Sequence, residues 1–185
     1  MGTVTDPYQP LEADYDLTRG CLGVLKRYGA RISVLTKSDL VLRDLELVSG
    51  WPGAEVGLSV GTVDAEVCSV LEPGASAPHL RFEALRRLVD AGVSTYLMAA
   101  PIVPSVSDSD DSVRRLLDAA EASGVRRVIW DCWNPKPLAR KRLARTATEA
   151  GLIGGPEALS GRCEAAGALL RAECARRGIE LVDAF

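Results

Sequence analysis

The sequence lacks the clustered histidines and cysteines that build most protein metal sites. Its 185 residues include one histidine, His79. Its five cysteines are widely spaced, with no CxxC or CxxxCxxC among them: Cys21, Cys68, Cys132, Cys163 and Cys174. Because these ligands are scattered, no zinc site can be built from this chain alone. The odd cysteine count favours free thiols. With one histidine, there is also no obvious Ser/His/Asp grouping.

Several other signals are also missing. Neither GxGxxG nor GxxxxGK[ST] occurs, so a dinucleotide-binding or P-loop identity lacks its main evidence. No apolar run approaches the roughly 20 residues that span a bilayer, and no charged-then-apolar segment opens the chain, which favours a cytoplasmic location. The net charge of −3 is spread along the chain and does not indicate nucleic acid as a partner.

A repeated β-α pattern predicts the fold class. Four helix-like stretches are each followed by a glycine and a short apolar run, and a fifth run follows Gly53: YGARISVLT, AEVGLSVG, AGVSTYLMAAP, SGVRRVIWD and RGIELVDAF. Gly29, Gly92, Gly124 and Gly178 match the left-handed position that ends a helix. The runs do not alternate in polarity, as is typical of parallel strands buried on both faces. Residues 1–4 are interpreted as part of a further strand.

The segments between these runs are amphipathic and predict helices. Asp16 to Tyr28 carries an apolar stripe of Leu17, Cys21, Val24, Leu25 and Tyr28. Ser38 and Ser76 are predicted N-caps. Such alternation gives parallel strands joined by right-handed crossovers. A complete eight-unit barrel needs about 250 residues, so an open α/β sheet or a partial barrel is expected. In both, the site lies at the carboxyl ends of the strands.

Polar residues at those ends have a functional and a structural interpretation. Lys37 follows an apolar run directly and is either an anion binder or a solvated edge residue. Asp6 is either a site residue or an ordinary turn residue of TDPYQP. Asp108, Asp110 and Asp111 match a helix N-terminus, and His79 matches a surface position in the first turn of a helix.

Taken together, these segments resemble one family. GTVTDPYQPLE, LTRG, VLTKSDLVLRDLELV, LSVGTVD, LEPGASAPHLRFEALRRLVDAGV and APIVP follow one another in the order and spacing of the spore photoproduct lyase-like branch of the radical S-adenosylmethionine (radical SAM) enzymes. The resemblance is strongest over residues 2–104. IWDCWNPKP is similar to the sixth strand of some members, and residues 138–185 supply C-terminal helices and a last strand. The chain is therefore expected to be a single domain, 1–185.

The resemblance implies a partial (β/α)6 barrel with a parallel sheet and helices outside. Its first unit carries CxxxCxxC, which holds a 4Fe-4S cluster that cleaves S-adenosylmethionine (SAM) to a 5′-deoxyadenosyl radical. This chain begins inside the second strand, and the cluster ligands are absent from it. We therefore expect a truncated or mis-started copy, one half of a split enzyme, or a relative without a cluster. An exposed first strand would favour self-association or pairing with a missing N-terminal half.

The resemblance also implies site residues. Thr5 and Asp6 match the loop facing the methionine end of SAM, Lys37 matches a lysine that meets the SAM carboxylate, and Ser59 matches a serine on the same ligand. Asn134 is a less certain neighbour. Thr3 stands where the lyases that repair spore DNA have a hydrogen-donating cysteine, which argues against thymine-dimer repair. Two functions remain open: radical SAM chemistry on an unidentified substrate, with no catalytic residue assigned, or a non-catalytic α/β binding or interaction domain without a cluster.

Overall fold

A parallel sheet of five strands forms the centre of the protein in the computed structural model, which describes residues 5–133, 136–160 and 163–184. The strands are β1 (Ile32–Thr36), β2 (Ala54–Ser59), β3 (Ser94–Ile102), β4 (Arg127–Cys132) and β5 (Glu180–Asp183). They lie in chain order, and every neighbouring pair is parallel. The predicted α/β fold with helices around a parallel sheet, as in a partial barrel, is confirmed. The strand predicted at residues 1–4 lies outside the described residues.

Helices connect the strands. They are α1 (Glu12–Tyr15), α2 (Leu17–Arg27), α3 (Leu45–Val48), α4 (Ala65–Leu71), α5 (Pro78–Asp90), α6 (Asp110–Ala122), α7 (Pro137–Glu149) and α8 (Glu164–Arg177), with 3-10 helices at Asp39–Asp44 and Pro156–Ser160. None of the helices in the described ranges is long and apolar enough to cross a membrane.

The predicted helix ends are largely correct. Gly29, Gly92, Gly124 and Gly178 all have positive φ, between 62° and 79°, as the left-handed end of a helix requires. Ser38 is an N-cap, and its hydroxyl accepts a hydrogen bond from the Leu40 N–H at 3.2 Å. The prediction for Ser76 is wrong, because Ala77 occupies the N-cap of α5. The Ser76 hydroxyl instead forms hydrogen bonds with Asp39 and connects two loops.

The core has two parts. The larger part lies between the sheet and the helices and contains fully buried side chains such as Leu58, Leu85 and Leu97. Each such leucine contributes about 1.5–3 kcal/mol by leaving water. A smaller cluster packs α7 and the second 3-10 helix against the end of β3: Val103, Ala144, Ala147, Ile153 and Leu159. This second cluster fixes α7 beside the carboxyl ends of the strands.

Two sequence expectations need correction. Most of the apolar stripe predicted on α2 faces outward, and Leu17 and Tyr28 are 70% and 85% exposed, while Leu22 on another face is buried. Periodicity showed that this face is apolar, but not what covers it. Free thiols are present at Cys21, Cys68 and Cys174, whereas Cys163 is disulfide-bonded.

Candidate functional site

The strand register brings two predicted site residues side by side. Thr36 of β1 pairs with Leu58 of β2, so the next residues along the two strands, Lys37 and Ser59, are neighbours at the same edge of the sheet. Side chains at this edge belong to the carboxyl ends of parallel strands, where α/β proteins bind ligands.

Asp6 is bonded to the end of β1. Its Oδ1 accepts hydrogen bonds from the Thr36 hydroxyl at 2.6 Å and from the Tyr8 N–H at 2.8 Å, and its Oδ2 accepts one from the Lys37 N–H at 2.7 Å. The carboxylate therefore joins the TDPYQP segment to the backbone of Lys37. Asp6 is thus a turn residue whose carboxylate also bonds to the end of β1.

A charged network holds the same segment from behind. Asp44 is fully buried, and its carboxylate accepts hydrogen bonds from the Tyr8 hydroxyl at 3.0 Å and from Arg19 at 2.6 Å. Arg43 lies 2.8 Å from the buried Glu12. Burial and the neighbouring Asp44 carboxylate raise the pKa of Tyr8 well above its ordinary value, so its hydroxyl stays a donor. The segment that carries Asp6 is thereby fixed.

Lys37 lies at the end of a second chain of contacts. Its ammonium lies 2.6 Å from Glu72 Oε1, and the Lys37 side chain is 37% exposed. The contact is an ion pair without hydrogen-bond alignment. Glu72 Oε2 accepts from Arg81 at 2.7 Å. Arg81 is fully buried and also donates to the Ser59 carbonyl at 2.7 Å. Two cations, Lys37 and Arg81, thus share the Glu72 carboxylate.

Arg81 further shapes its surroundings through Cys68 and Ser76. It donates to the Ser76 carbonyl at 2.6 Å and lies 3.1 Å from the Cys68 sulfur. Burial raises the pKa of the Cys68 thiol, and the attraction of Arg81 opposes that rise without cancelling it. The sequence contains a signal that could have identified Arg81. Arg81 falls on the apolar stripe of α5 together with Ala84 and Leu85. A charged residue in such a stripe requires buried partners.

Ser59 is the most enclosed of the predicted residues. Its hydroxyl donates to the Ala100 carbonyl at 2.8 Å, and the residue is 5% exposed. The following loop passes close to β3, since a Cβ on Gly61 would lie 2.3 Å from the Pro101 carbonyl oxygen. The stretch Gly57 to Gly61 also matches the G-x-S-x-G spacing of a hydrolase nucleophile. Within the described residues no histidine bonds to Ser59, and its hydroxyl donates to a backbone carbonyl instead.

A cleft opens beside Lys37 across the carboxyl ends of three strands. It measures about 570 Å³, within the roughly 300–1,000 Å³ of small-molecule sites. Lys37 follows β1, Pro101 belongs to β3, and Trp133 follows β4. One wall comes from the end of α4 and the residues that follow it: Val70, Leu71, Glu72 and Pro73. Another wall comes from α7, through Leu138, Arg142 and their neighbours, and from Lys136, which precedes this helix. The sequence did not reveal these last contributions.

The other predicted residues lie apart from this cleft or outside the described ranges. Thr5 is exposed, Ser59 does not line the cleft, and Asn134 is outside the described residues. Among the residues the structure describes, no group of three or more His, Cys, Asp or Glu side chains could hold a metal ion. Of the candidates that the structure describes, Lys37 is the one that lines the cleft.

Relatives from archaea and mycobacteria share sequence with this chain. The uncharacterized protein MJ0683 of Methanocaldococcus jannaschii is 37% identical over 108 residues, which is 58% of this chain and 41% of the relative. The uncharacterized protein Rv2578c of Mycobacterium tuberculosis is 34% identical over 127 residues, which is 67% of this chain and 37% of the relative. The matched part of this chain thus spans about two fifths of their length. No family model matches the chain.

Among solved structures, the chain is similar in fold to SuiB of Streptococcus suis. The crystal structure of SuiB bound to S-adenosylmethionine has a TM-score of 0.61 to this protein, with 11% sequence identity. The similarity covers 96% of this chain and 35% of SuiB. At this identity the comparison shows a shared fold.

Proposed function

We propose that this chain forms the S-adenosylmethionine-binding part of a radical SAM-type protein of the spore photoproduct lyase-like branch. The observation that carries the proposal is the strand-end cleft, which has the size of a small-molecule site and a half-exposed lysine at its wall. The ordered motifs of the first hundred residues and the fold shared with an S-adenosylmethionine-bound structure support the same ligand.

Lys37 is assigned to the ligand carboxylate. An ammonium and a carboxylate form a charge-assisted hydrogen bond, and the 37% exposure of Lys37 leaves room for an incoming group. Asp6 already accepts three hydrogen bonds from the chain, so we assign it the task of holding the backbone of Lys37. Ser59 keeps the ends of β2 and β3 together, and Thr5 and Asn134 complete the proposed set by resemblance.

The iron-sulfur cluster of the family is treated separately. When bound, such a cluster supplies the electron that cleaves SAM and so generates the 5′-deoxyadenosyl radical. This sequence has no CxxxCxxC to hold it. We therefore assign to these residues the binding and orientation of SAM.

Calorimetric titration of SAM tests the proposal. We expect the wild-type chain to bind SAM, and Lys37→Ala to weaken the affinity about tenfold or more, because a hydrogen bond to a charged group contributes about 1.5–3 kcal/mol. Arg87→Ala is the control, since Arg87 is an exposed cation on α5 away from the cleft. Equal affinities for wild type and Lys37→Ala would refute the assignment of Lys37. An absence of SAM binding by the wild type would favour a non-catalytic binding or interaction domain instead.

A further inference from the structure

Positive charge is concentrated on one helix of this acidic protein. Five cations lie within ten residues at the start of α7 and along it: Lys136, Arg140, Lys141, Arg142 and Arg145. Glu149 is the one acidic residue in α7. Since the whole chain has a net charge of −3, the remaining surface carries the excess negative charge. The average over the sequence hides this separation.

Four of the five cations have no acidic partner within the described ranges. Arg140 donates to the Leu159 carbonyl and to the Ser160 hydroxyl, and Arg145 lies 3.9 Å from Glu149. Lys136, Lys141 and Arg142 form no ion pair there and are exposed. Unpaired charges of one sign on one face attract a ligand of the opposite sign and steer it there.

The surface of α7 that carries Arg140, Lys141, Arg142 and Arg145, called here the basic face, is continuous with the candidate site. A groove of about 930 Å³ runs along α7, and it shares Leu138 and Arg142 with the strand-end cleft. Glu72, the acidic residue that lines the cleft, is already neutralised by Lys37 and Arg81. A ligand that lies along α7 would therefore meet the unpaired cations Lys141 and Arg142 on its path into the cleft.

We infer that the groove along α7 binds an acidic peptide segment, with carboxylates against Lys141 and Arg142. The 13 residues of α7 span about 20 Å, enough for about six residues of extended peptide. Leu138, Ala144 and Pro156 give the groove an apolar floor for the peptide's other side chains. That the peptide is the substrate, with one end reaching the cleft, rests on the proposed function, whereas the docking surface itself does not.

The composition of the groove favours a peptide over single-stranded nucleic acid. Sites for single strands combine positive charge with aromatic side chains on which bases stack. The residues lining the α7 groove include no aromatic side chain. An amphipathic acidic peptide, by contrast, matches both the apolar floor and the guanidinium and ammonium groups around it.

Fluorescence anisotropy with two labelled peptides tests this inference. The first is a 15-residue peptide that alternates Glu with Leu and Ala, and the second has Gln in place of every Glu. We expect the full chain to bind the Glu peptide at least tenfold more tightly than the Gln peptide at low salt, and the preference to shrink as salt screens the charges. K141Q/R142Q should lower affinity for the Glu peptide about tenfold. R27Q/R87Q removes two exposed cations on α2 and α5 and should have no effect.

Several outcomes would overturn the inference. Equal binding of the two peptides, or equal losses in both double variants, would mean that no specific acidic-peptide surface exists on α7. Tighter binding of a single-stranded oligonucleotide of equal charge would assign the surface to nucleic acid. Light scattering that shows a dimer dissolved by K141Q/R142Q would assign it to a second copy of the chain. Because no assay here contains SAM, loss of peptide binding is distinguishable from failure of the SAM titration.

Discussion

Replacing Asp6 by asparagine tests whether this carboxylate fixes the strand-end loop. The wild-type carboxylate accepts from two backbone N–H groups, those of Tyr8 and Lys37, on different oxygens, and from the Thr36 hydroxyl. Asparagine has the same shape but offers one oxygen and one NH2 group. In either orientation of its amide, one backbone N–H faces another donor. The change therefore breaks a bond without creating a cavity.

The magnitude follows from these three bonds. A hydrogen bond to a charged acceptor contributes about 1.5–3 kcal/mol, and a neutral one about 0.5–1.5 kcal/mol. Asp6→Asn loses one of the three bonds and converts the other two from charged to neutral acceptors. Because Asp6 is half-buried, water replaces part of what is lost. We expect the free energy of unfolding to fall by about 2–4 kcal/mol.

Urea denaturation at neutral pH, extrapolated linearly to water, measures this loss. Asp14→Asn is the matched control, since Asp14 is exposed on α1 and makes no hydrogen bond through its side chain in the described structure; its effect should lie within about 0.5 kcal/mol of zero. If Asp6→Asn were as mild as Asp14→Asn, the three bonds would not hold the loop. SAM affinity should fall with Asp6→Asn, because the Lys37 backbone loses its acceptor.

Two further predictions concern the network behind the loop. Tyr8→Phe removes the hydroxyl that bonds to Asp44, and we expect a loss of about 1–2 kcal/mol in urea unfolding, since other donors still satisfy that carboxylate; Tyr28→Phe, at an 85% exposed position, should change nothing. Burial alone would raise the pKa of Glu12, but hydrogen bonds from the Thr18 N–H and from Arg43 outweigh it and lower the pKa. The stabilising contribution of Glu12 is thus present above the ordinary carboxyl pKa and is lost as pH falls through the lowered value. Between pH 6 and pH 3, the free energy of unfolding should therefore fall less in Glu12→Gln than in the wild type. The same pH dependence in both proteins would contradict this.

The strands could be predicted because their signals are local. Four glycines that end a helix in left-handed conformation, among them Gly92 and Gly124, are followed within a few residues by a strand. The α2 stripe shows the limit of the same reasoning. Helical spacing correctly indicated an apolar face through Leu17 and Val24, but burial depends on a neighbouring element, and no local pattern encodes which element that is.

The candidate site could be predicted in part for the same reason. Lys37 stands directly after an apolar run and before a capped helix, so its position at the strand end can be predicted from the local sequence. Arg81 and Glu72 reach that end from separate elements, and their contacts form across nine residues of sequence. The basic face of α7 was missed because charge was averaged over the chain, whereas the fold places Lys136 and Arg142 at the strand-end cleft and Lys141 in the adjoining groove.

The contacts of Glu72 bear on how Lys37 could serve a ligand. Lys37 is held by Glu72 at 2.6 Å, so a ligand carboxylate must compete with that ion pair. If Lys37 turns to the ligand, Glu72 keeps Arg81 at 2.7 Å and is not left as an unpaired buried charge, an arrangement that would otherwise cost about 3–5 kcal/mol. Arg81 in turn is fixed by the carbonyls of Ser59 and Ser76. The buried arginine therefore makes exchange of Lys37 between Glu72 and a ligand energetically accessible, and it ties that exchange to the backbone at the end of β2.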